Sequence, residues 1–257
     1  MLLALFLPGC VVAAPAFVNV AAPLCQARQR PARVNIKYVI DGDTVKLNTG
    51  VSLRLIGIDT PEIGHEGRAD QPGARAAGAY LKSLLDNGRA AAVVYGAQRH
   101  DHYGRLLGHL FLLDGSNVQA LLLAGGYATP LIMPPNLGFL DCYQRAAAAA
   151  MAAHRGIWSY PDYQVIAAHE LAPDTRGYRR VTGRVTGIGN SRSSVWVELG
   201  ASLALRIVRS DLKYFTGTDL SRLVGETIRA RGRVYRRNGQ LRIRIRHPLD
   251  LQPGATE

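Results

Sequence analysis

The chain has 257 residues, 47% of them hydrophobic, and a formal net charge of +12. That composition excludes a wholly disordered protein and fits one large domain or two small ones. It contains no uninterrupted run of 18 hydrophobic residues, so no membrane-spanning helix is expected in the mature form. The charge is uneven. Residues 1–175 hold 14 Lys and Arg against 13 Asp and Glu, whereas residues 176–257 hold 17 against 6. A boundary is expected over 160–177, where Pro161, Pro173 and Gly177 read as a linker.

Met1–Ala16 is apolar and ends Ala14-Pro15-Ala16, the pattern of a secretory signal with a small-residue cleavage site, although it lacks a basic leading segment. Leu7-Pro8-Gly9-Cys10 also reads as a bacterial lipoprotein box, which makes a lipid anchor at Cys10 the alternative. Either way the protein is expected to be exported, periplasmic or secreted. Residues 17–33 then form an N-terminal extension. Cleavage after Ala16 leaves Cys25 and Cys142, which read either as one disulfide of an oxidising compartment or as two unrelated thiols.

Pro31–Ile40 reads as a first strand. Val45–Leu47 and Val51–Ile56 form a hairpin around the turn Asn48-Thr49-Gly50. Asp41 and Asp43 precede this hairpin, and Asp59 and Glu62 follow it, so four carboxylates are expected at one rim. Such a cluster repels itself unless a cation lies within it. Oxygen donors without clustered His or Cys suit a hard ion, Ca²⁺ before Mg²⁺. Arg54 in the same hairpin suggests an anionic substrate, most simply a phosphate. Asp-Gly-Asp and Asp-Thr-Pro-Glu are also ordinary turn sequences, and it is their joint placement around an Arg-bearing hairpin that marks a site. Arg54 and Asp59 differ by five positions, so a straight strand would point them to opposite faces. A turn at Thr60-Pro61 is expected to re-aim Asp59.

A helix is expected over Pro72–Asn87, a strand over Ala90–Tyr95, a polar loop over Gln98–Gly104 and a strand over Arg105–Leu113. Helices follow over Asn117–Gly125 and over the Ala-rich Leu137–His154.

Taken together, Asp41-Gly42-Asp43-Thr44, Arg54-Leu55, Asp59-Thr60-Pro61-Glu62, Asp101-His102-Tyr103-Gly104-Arg105 and Gly156-Ile157-Trp158 resemble the staphylococcal (micrococcal) nuclease family in order and spacing, over roughly residues 34–159. The resemblance implies an α+β fold, with a five-stranded OB-type barrel and three helices, that cleaves DNA or RNA with Ca²⁺. It also implies roles. Asp43, Asp59 and the Thr60 carbonyl would hold the metal, Arg54 and Arg105 the phosphate, and Glu62 would act as general base. Asp41 and Tyr103 would be supporting residues. The family prototype has two tyrosines that pack on the nucleotide. Leu131 and Met133 occupy the corresponding positions here, which leaves stacking on the base in doubt while the catalytic groups are all present.

Residues 178–251 read as a second small β-barrel, OB-like, from strands Arg180–Thr186, Ser194–Leu199, Ala204–Val208, Thr227–Tyr235 and Gln240–His247, with a helix near Asp219–Val224. Asn238-Gly239 is a two-residue hairpin turn. It places Val234 opposite Ile243 and Arg233 opposite Arg244. One face of this hairpin then carries Arg231, Arg233, Tyr235, Arg242, Arg244 and Arg246. Like charges in such a row need an anion to offset them, and a nucleic-acid backbone would do so. The expected whole is a monomeric exported nuclease acting on DNA or RNA. The competing expectation is a polyanion-binding envelope protein that keeps the fold without catalysis.

Overall fold

In the computed structural model of the protein, residues 25–64, 66–85 and 90–254 are described. The expected signal segment 1–16, Cys10 included, lies outside them. No helix among the described residues is long and apolar enough to cross a membrane.

Strands β1 (Ala32–Val39), β2 (Thr44–Leu47), β3 (Ser52–Leu55), β5 (Ala90–His100) and β6 (Leu106–Phe111) close into a barrel in the order β1-β2-β3-β6-β5. Strand β4 (Ile58–Asp59) leaves this barrel and pairs with β7 (Thr129–Pro130). Three helices complete the unit: α1 (Ala74–Leu85), α2 (Val118–Ala124) and α3 (Leu140–Ala152). Ile36, Val45, Leu53, Leu55, Val93 and Leu110 fill the barrel, and Leu81, Leu122, Leu123 and Tyr143 of the helices close over it. This is the five-stranded, three-helix α+β architecture expected from the sequence. Expected element ends shift by a few residues. The largest difference is β5, which runs on to His100 where a polar loop was expected.

Cys25 and Cys142 form a disulfide (Cα–Cα 5.6 Å) across 117 residues. Closing a loop of that length restricts the unfolded chain and contributes on the order of 2–4 kcal/mol. Beside it, a chain of polar groups is buried under α3. The His109 Nδ1 lies 2.9 Å from Tyr143 Oη, which donates to Asn117 Oδ1 at 3.1 Å. The Asn117 side chain in turn accepts from the Ala120 N–H and caps α2.

Burial holds the His109 imidazole neutral by lowering its pKa from 6.5 to about 4. The unfolded chain therefore binds the extra proton first. Stability from this group is complete above pH 6.5 and is lost as pH falls through 4, a span on the order of 3 kcal/mol. Unfolding midpoints measured between pH 7 and 4 are expected to fall more steeply for the native chain than for His109→Gln. Equal slopes would contradict this assignment.

The second unit is a β domain with its own core of Val181, Val197, Leu205, Ile207, Ile243 and Ile245. Its strands are β8 (Val165–Ala167), β9 (Gly177–Arg184), β10 (Gly187–Asn190), β11 (Ser194–Leu199), β12 (Leu203–Val208), β13 (Thr227–Arg237), β14 (Gln240–Ile245) and β15 (Leu251–Pro253). They form one sheet in the order β10-β11-β12-β14-β13-β9-β8, with β15 on β13. The expected helix near Asp219–Val224 is a short 3-10 turn, Leu220–Leu223.

The expected linker is not one. Within 160–177, β8 pairs in parallel with β9, and Tyr163, Ala168 and Leu171 are buried. Trp158, Tyr163 and Tyr178 pack ring against ring, so the end of the first unit and the start of the second share an aromatic cluster. Pro and Gly in this window mark turns inside a packed segment.

Candidate active site

Asp41 Oδ1 accepts a hydrogen bond from the Asp43 N–H at 3.0 Å, a turn that leads Asp43 into the interior. Asp43 is 6% exposed. Its Oδ1 accepts from Thr44 Oγ1 at 3.1 Å, and its Oδ2 accepts from both the N–H and the Oγ1 of Thr60 at 3.1 Å. The residue between the two acids must be small. A Cβ on Gly42 would lie 2.7 Å from Thr60 Oγ1 and 2.8 Å from Ala77 Cβ.

Arg54 lies between the buried Asp43 and the half-buried Asp59. Its Nη2 is 2.9 Å from Asp43 Oδ2 and 3.2 Å from Asp59 Oδ1, while Nη1 donates to the carbonyls of Leu55 (2.6 Å) and Ile58 (3.1 Å). Arg54 and Asp59 thus meet despite their parity, but the bend is not at Thr60-Pro61. Strand β3 ends at Leu55, and Gly57 turns the chain at φ +89°. Strand β4 then runs off to pair with β7, Asp59 opposite Thr129. A side chain at position 57 would also come 2.5 Å from the Tyr143 ring.

The remaining partner comes from the second domain. Arg233 Nε lies 3.2 Å from Asp59 Oδ2, and its Nη2 lies 3.0 Å from Glu62 Oε1. The Glu62 backbone N–H is held by Gln71 Oε1 at 3.0 Å. The acids do not cluster as four bare carboxylates. They alternate with guanidiniums in the order Asp43, Arg54, Asp59, Arg233, Glu62, because opposite charges lower the repulsion that a bare cluster would carry.

Burial raises the Asp59 carboxyl above its ordinary range, against the pull of Arg233 and Arg54. Burial and then the Asp43 charge raise Asp41. Burial disfavours the Arg233 cation, yet Asp59 and Glu62 outweigh it and hold its pKa above the ordinary value.

Arg105 stands just before β6, and its Nε lies 2.7 Å from Asp101 Oδ2. It makes no ion pair with Asp43, Asp59 or Glu62 among the described residues. Its guanidinium lies over the Tyr103 ring at 5.3 Å, and Tyr103 is largely exposed.

The family model for staphylococcal nuclease homologues matches residues 52–160. Thermonuclease of Staphylococcus intermedius is 35% identical over 127 residues, which are 48% of this chain and 74% of that protein. The chain belongs to the staphylococcal nuclease family.

Two further relatives of the chain are from Bacillus subtilis. Endonuclease YhcR is 31% identical over 174 residues, 63% of this chain and 14% of that protein. The prophage-derived endonuclease YokF is 32% identical over 134 residues, 51% of this chain and 45% of that protein. The chain therefore spans less than half the length of either. Asp41 and Asp43 precede the matched segment, so their place beside Arg54 rests on the hydrogen bonds and ion pairs above.

The donor chemistry suits a hard cation in part. Asp43, Asp59 and Thr60 offer oxygen only, and Asp43 and Asp59 are joined through one guanidinium. Among the described residues, no three acid, histidine or cysteine side chains are grouped as a metal site. The set fits an ion held by two carboxylates and completed by solvent and substrate oxygens better than an all-protein cage.

Of the six residues expected on the basic face, Arg231, Arg233, Tyr235, Arg244 and Arg246 share one groove and Arg242 is not part of its lining. Arg231 is in a half-buried pair with Asp250 at 3.0 Å and donates to Gln144 Oε1 of α3 at 2.6 Å, so it ties the two domains together. Arg242 lies over the Trp196 ring at 4.6 Å. Val234 does pair with Ile243, but the β13–β14 ladder begins there, and Arg233 faces Tyr178 of β9 instead of Arg244. Arg233, Tyr235, Arg244 and Arg246 line a groove that opens on Asp59 and is walled on the barrel side by Leu131 and Met133. Sequence reading singled out Arg233 but not its contact with the acids, since 171 residues separate it from Glu62.

Proposed function

We propose that the protein is an exported, Ca²⁺-dependent endonuclease that hydrolyses phosphodiester bonds of DNA or RNA. The observation that carries this is the largely enclosed Asp43–Arg54–Asp59 arrangement, with Asp43 buried, on a barrel of the staphylococcal nuclease family. Names of the relatives, three endonucleases or thermonucleases, support the same reading. The Cys25–Cys142 bridge supports export, since such bonds persist in oxidising compartments.

In this reading Asp43, Asp59 and the Thr60 carbonyl hold the ion. When bound, the ion stabilises the negative charge that develops on the phosphoryl oxygens. Arg54 and Arg105 donate to those oxygens, a planar fork suited to phosphate. Glu62 takes the proton of the attacking water, and the leaving oxygen departs in line on the opposite side. The second domain adds electrostatic grip on the polyanion through its arginines.

Covalently closed circular single-stranded DNA tests the endonuclease reading, because it has no ends. Full-length folded protein with Ca²⁺ is expected to linearise it and then shorten it. A circle that is bound but stays intact would favour the non-catalytic binding protein.

A further inference from the structure

We propose that the groove between the barrel and the second domain is an extended subsite for the phosphates that flank the scissile one, entered past Arg233. This rests on the nuclease reading above for its substrate, and it adds a path that the barrel alone does not contain.

The groove has a volume of about 470 Å³, within the range of clefts that hold small ligands, so it accommodates a short stretch of one strand. Its charge is strongly one-sided: Arg206, Arg231, Arg233, Arg244 and Arg246 line it against only Asp59 and Asp250. Four of these arginines are at least partly engaged: Arg231 with Asp250, Arg233 with Asp59 and Glu62, Arg244 with Asp211 at 2.9 Å, and Arg206 with Ser194 Oγ at 2.8 Å. Arg246 makes no salt bridge among the described residues. Burial and the nearby Arg244 lower its guanidinium pKa, an effect that an anion between them would reverse.

Two polar atoms of the lining, Arg244 Nε and Tyr178 Oη, are buried without a hydrogen-bond partner. Native structures leave few such atoms, and a ligand oxygen would satisfy them. The opposite wall is chemically different. Leu131 is half-buried and Met133 is 39% exposed, and both line the groove. Guanidiniums and Tyr235 on one side and apolar groups on the other match a strand with phosphates held on one edge and bases packed on the other.

Arg233 connects this groove to the chemistry. It touches the groove and both Asp59 and Glu62, so a phosphate that draws it away from the acids is placed next to the scissile position. We assign it as a positioning residue.

The test is binding of oligothymidylates of 2, 4, 8 and 12 nucleotides to the full chain, read by fluorescence anisotropy with chelator present. Arg246 is the residue to change, because it releases no carboxylate. The native chain is expected to bind the 12-mer at least tenfold more tightly than the dimer. Arg246→Ala is expected to shrink that ratio several-fold and to reduce the slope of log K against log salt by about 0.7, the value for one phosphate on a single strand. Arg246→Lys should recover most of the slope.

Cleavage in Ca²⁺ is read separately. A chain that cuts DNA but whose length dependence and salt slope are unchanged by Arg246→Ala overturns the groove and leaves the nuclease reading intact. A chain that shows the expected length and salt dependence but cuts nothing supports the groove as a strand-binding site and overturns the nuclease reading.

Discussion

Arg54→Ala is expected to lower kcat on single-stranded DNA at saturating Ca²⁺ by about 10³-fold. Loss of a single donor aimed at developing charge typically costs on the order of 10² to 10³. Arg54 has a second task that pushes the effect to the upper end. Its Nη2 is shared by Asp43 and Asp59, at 2.9 and 3.2 Å. Removing it leaves these two carboxylates facing each other without their counter-charge.

Removal of one partner from a buried pair costs on the order of 3 kcal/mol, so the variant should also melt earlier in chelator. Ca²⁺ should restore part of that loss by binding the two acids. Arg54→Lys keeps the charge but not the fork that reaches both acids and two carbonyls, and it should fall between the two. The checks are steady-state rates and melting curves with and without Ca²⁺. A folded Arg54→Ala variant within threefold of the native rate would remove Arg54 from the mechanism.

Glu62→Gln is the second large effect, with kcat lower by about 10² to 10⁴ and KM nearly unchanged. Glutamine has the same shape and still accepts a hydrogen bond from Arg233, so the contact at 3.0 Å can survive. What it cannot do is take a proton. Ca²⁺ affinity, which the proposal assigns to Asp43 and Asp59, should change little, and calorimetry can read it independently of turnover. A rise in KM with kcat intact would instead make Glu62 a binding group. Arg233 bears on the same residue. It holds Glu62 from the second domain, so truncation before residue 178 should free the Glu62 side chain as well as remove the basic groove.

The hairpin and its acids were legible because their signals are local. Turn residues, alternating strands and an internal Arg all lie between Asp41 and Glu62, and the two strands pair antiparallel as a hairpin should, with Thr44 opposite Arg54. The joining of Arg54 to Asp59 was expected but its cause was misplaced. The bend belongs to Gly57, and the direction of β4 is set by pairing with Thr129, 70 residues on. No local pattern reports such a pairing.

The same holds for the basic domain. Alternation placed Arg231, Arg233 and Arg246 on one face of a hairpin, yet their tasks depend on what lies opposite. Arg231 meets Asp250 and Gln144, Arg233 meets Asp59 and Glu62, and Arg246 makes no salt bridge among the described residues, although Asp211 and Asp250 lie near enough to act on its charge. The window 160–177 failed as a linker for a related reason. Its Pro and Gly residues were visible, but the burial of Tyr163 and Leu171 depends on a sheet and an aromatic cluster made elsewhere.

The most direct measurement is the single-turnover cleavage of one labelled single-stranded oligonucleotide by the full chain, in Ca²⁺, in Mg²⁺ and in chelator, with Asp59→Asn beside the native protein. The account predicts a rate that saturates with Ca²⁺, is lower in Mg²⁺, vanishes in chelator, and requires far more Ca²⁺ in Asp59→Asn. Cleavage that persists undiminished in chelator, or that Asp59→Asn leaves at the native rate and the native Ca²⁺ midpoint, would contradict it.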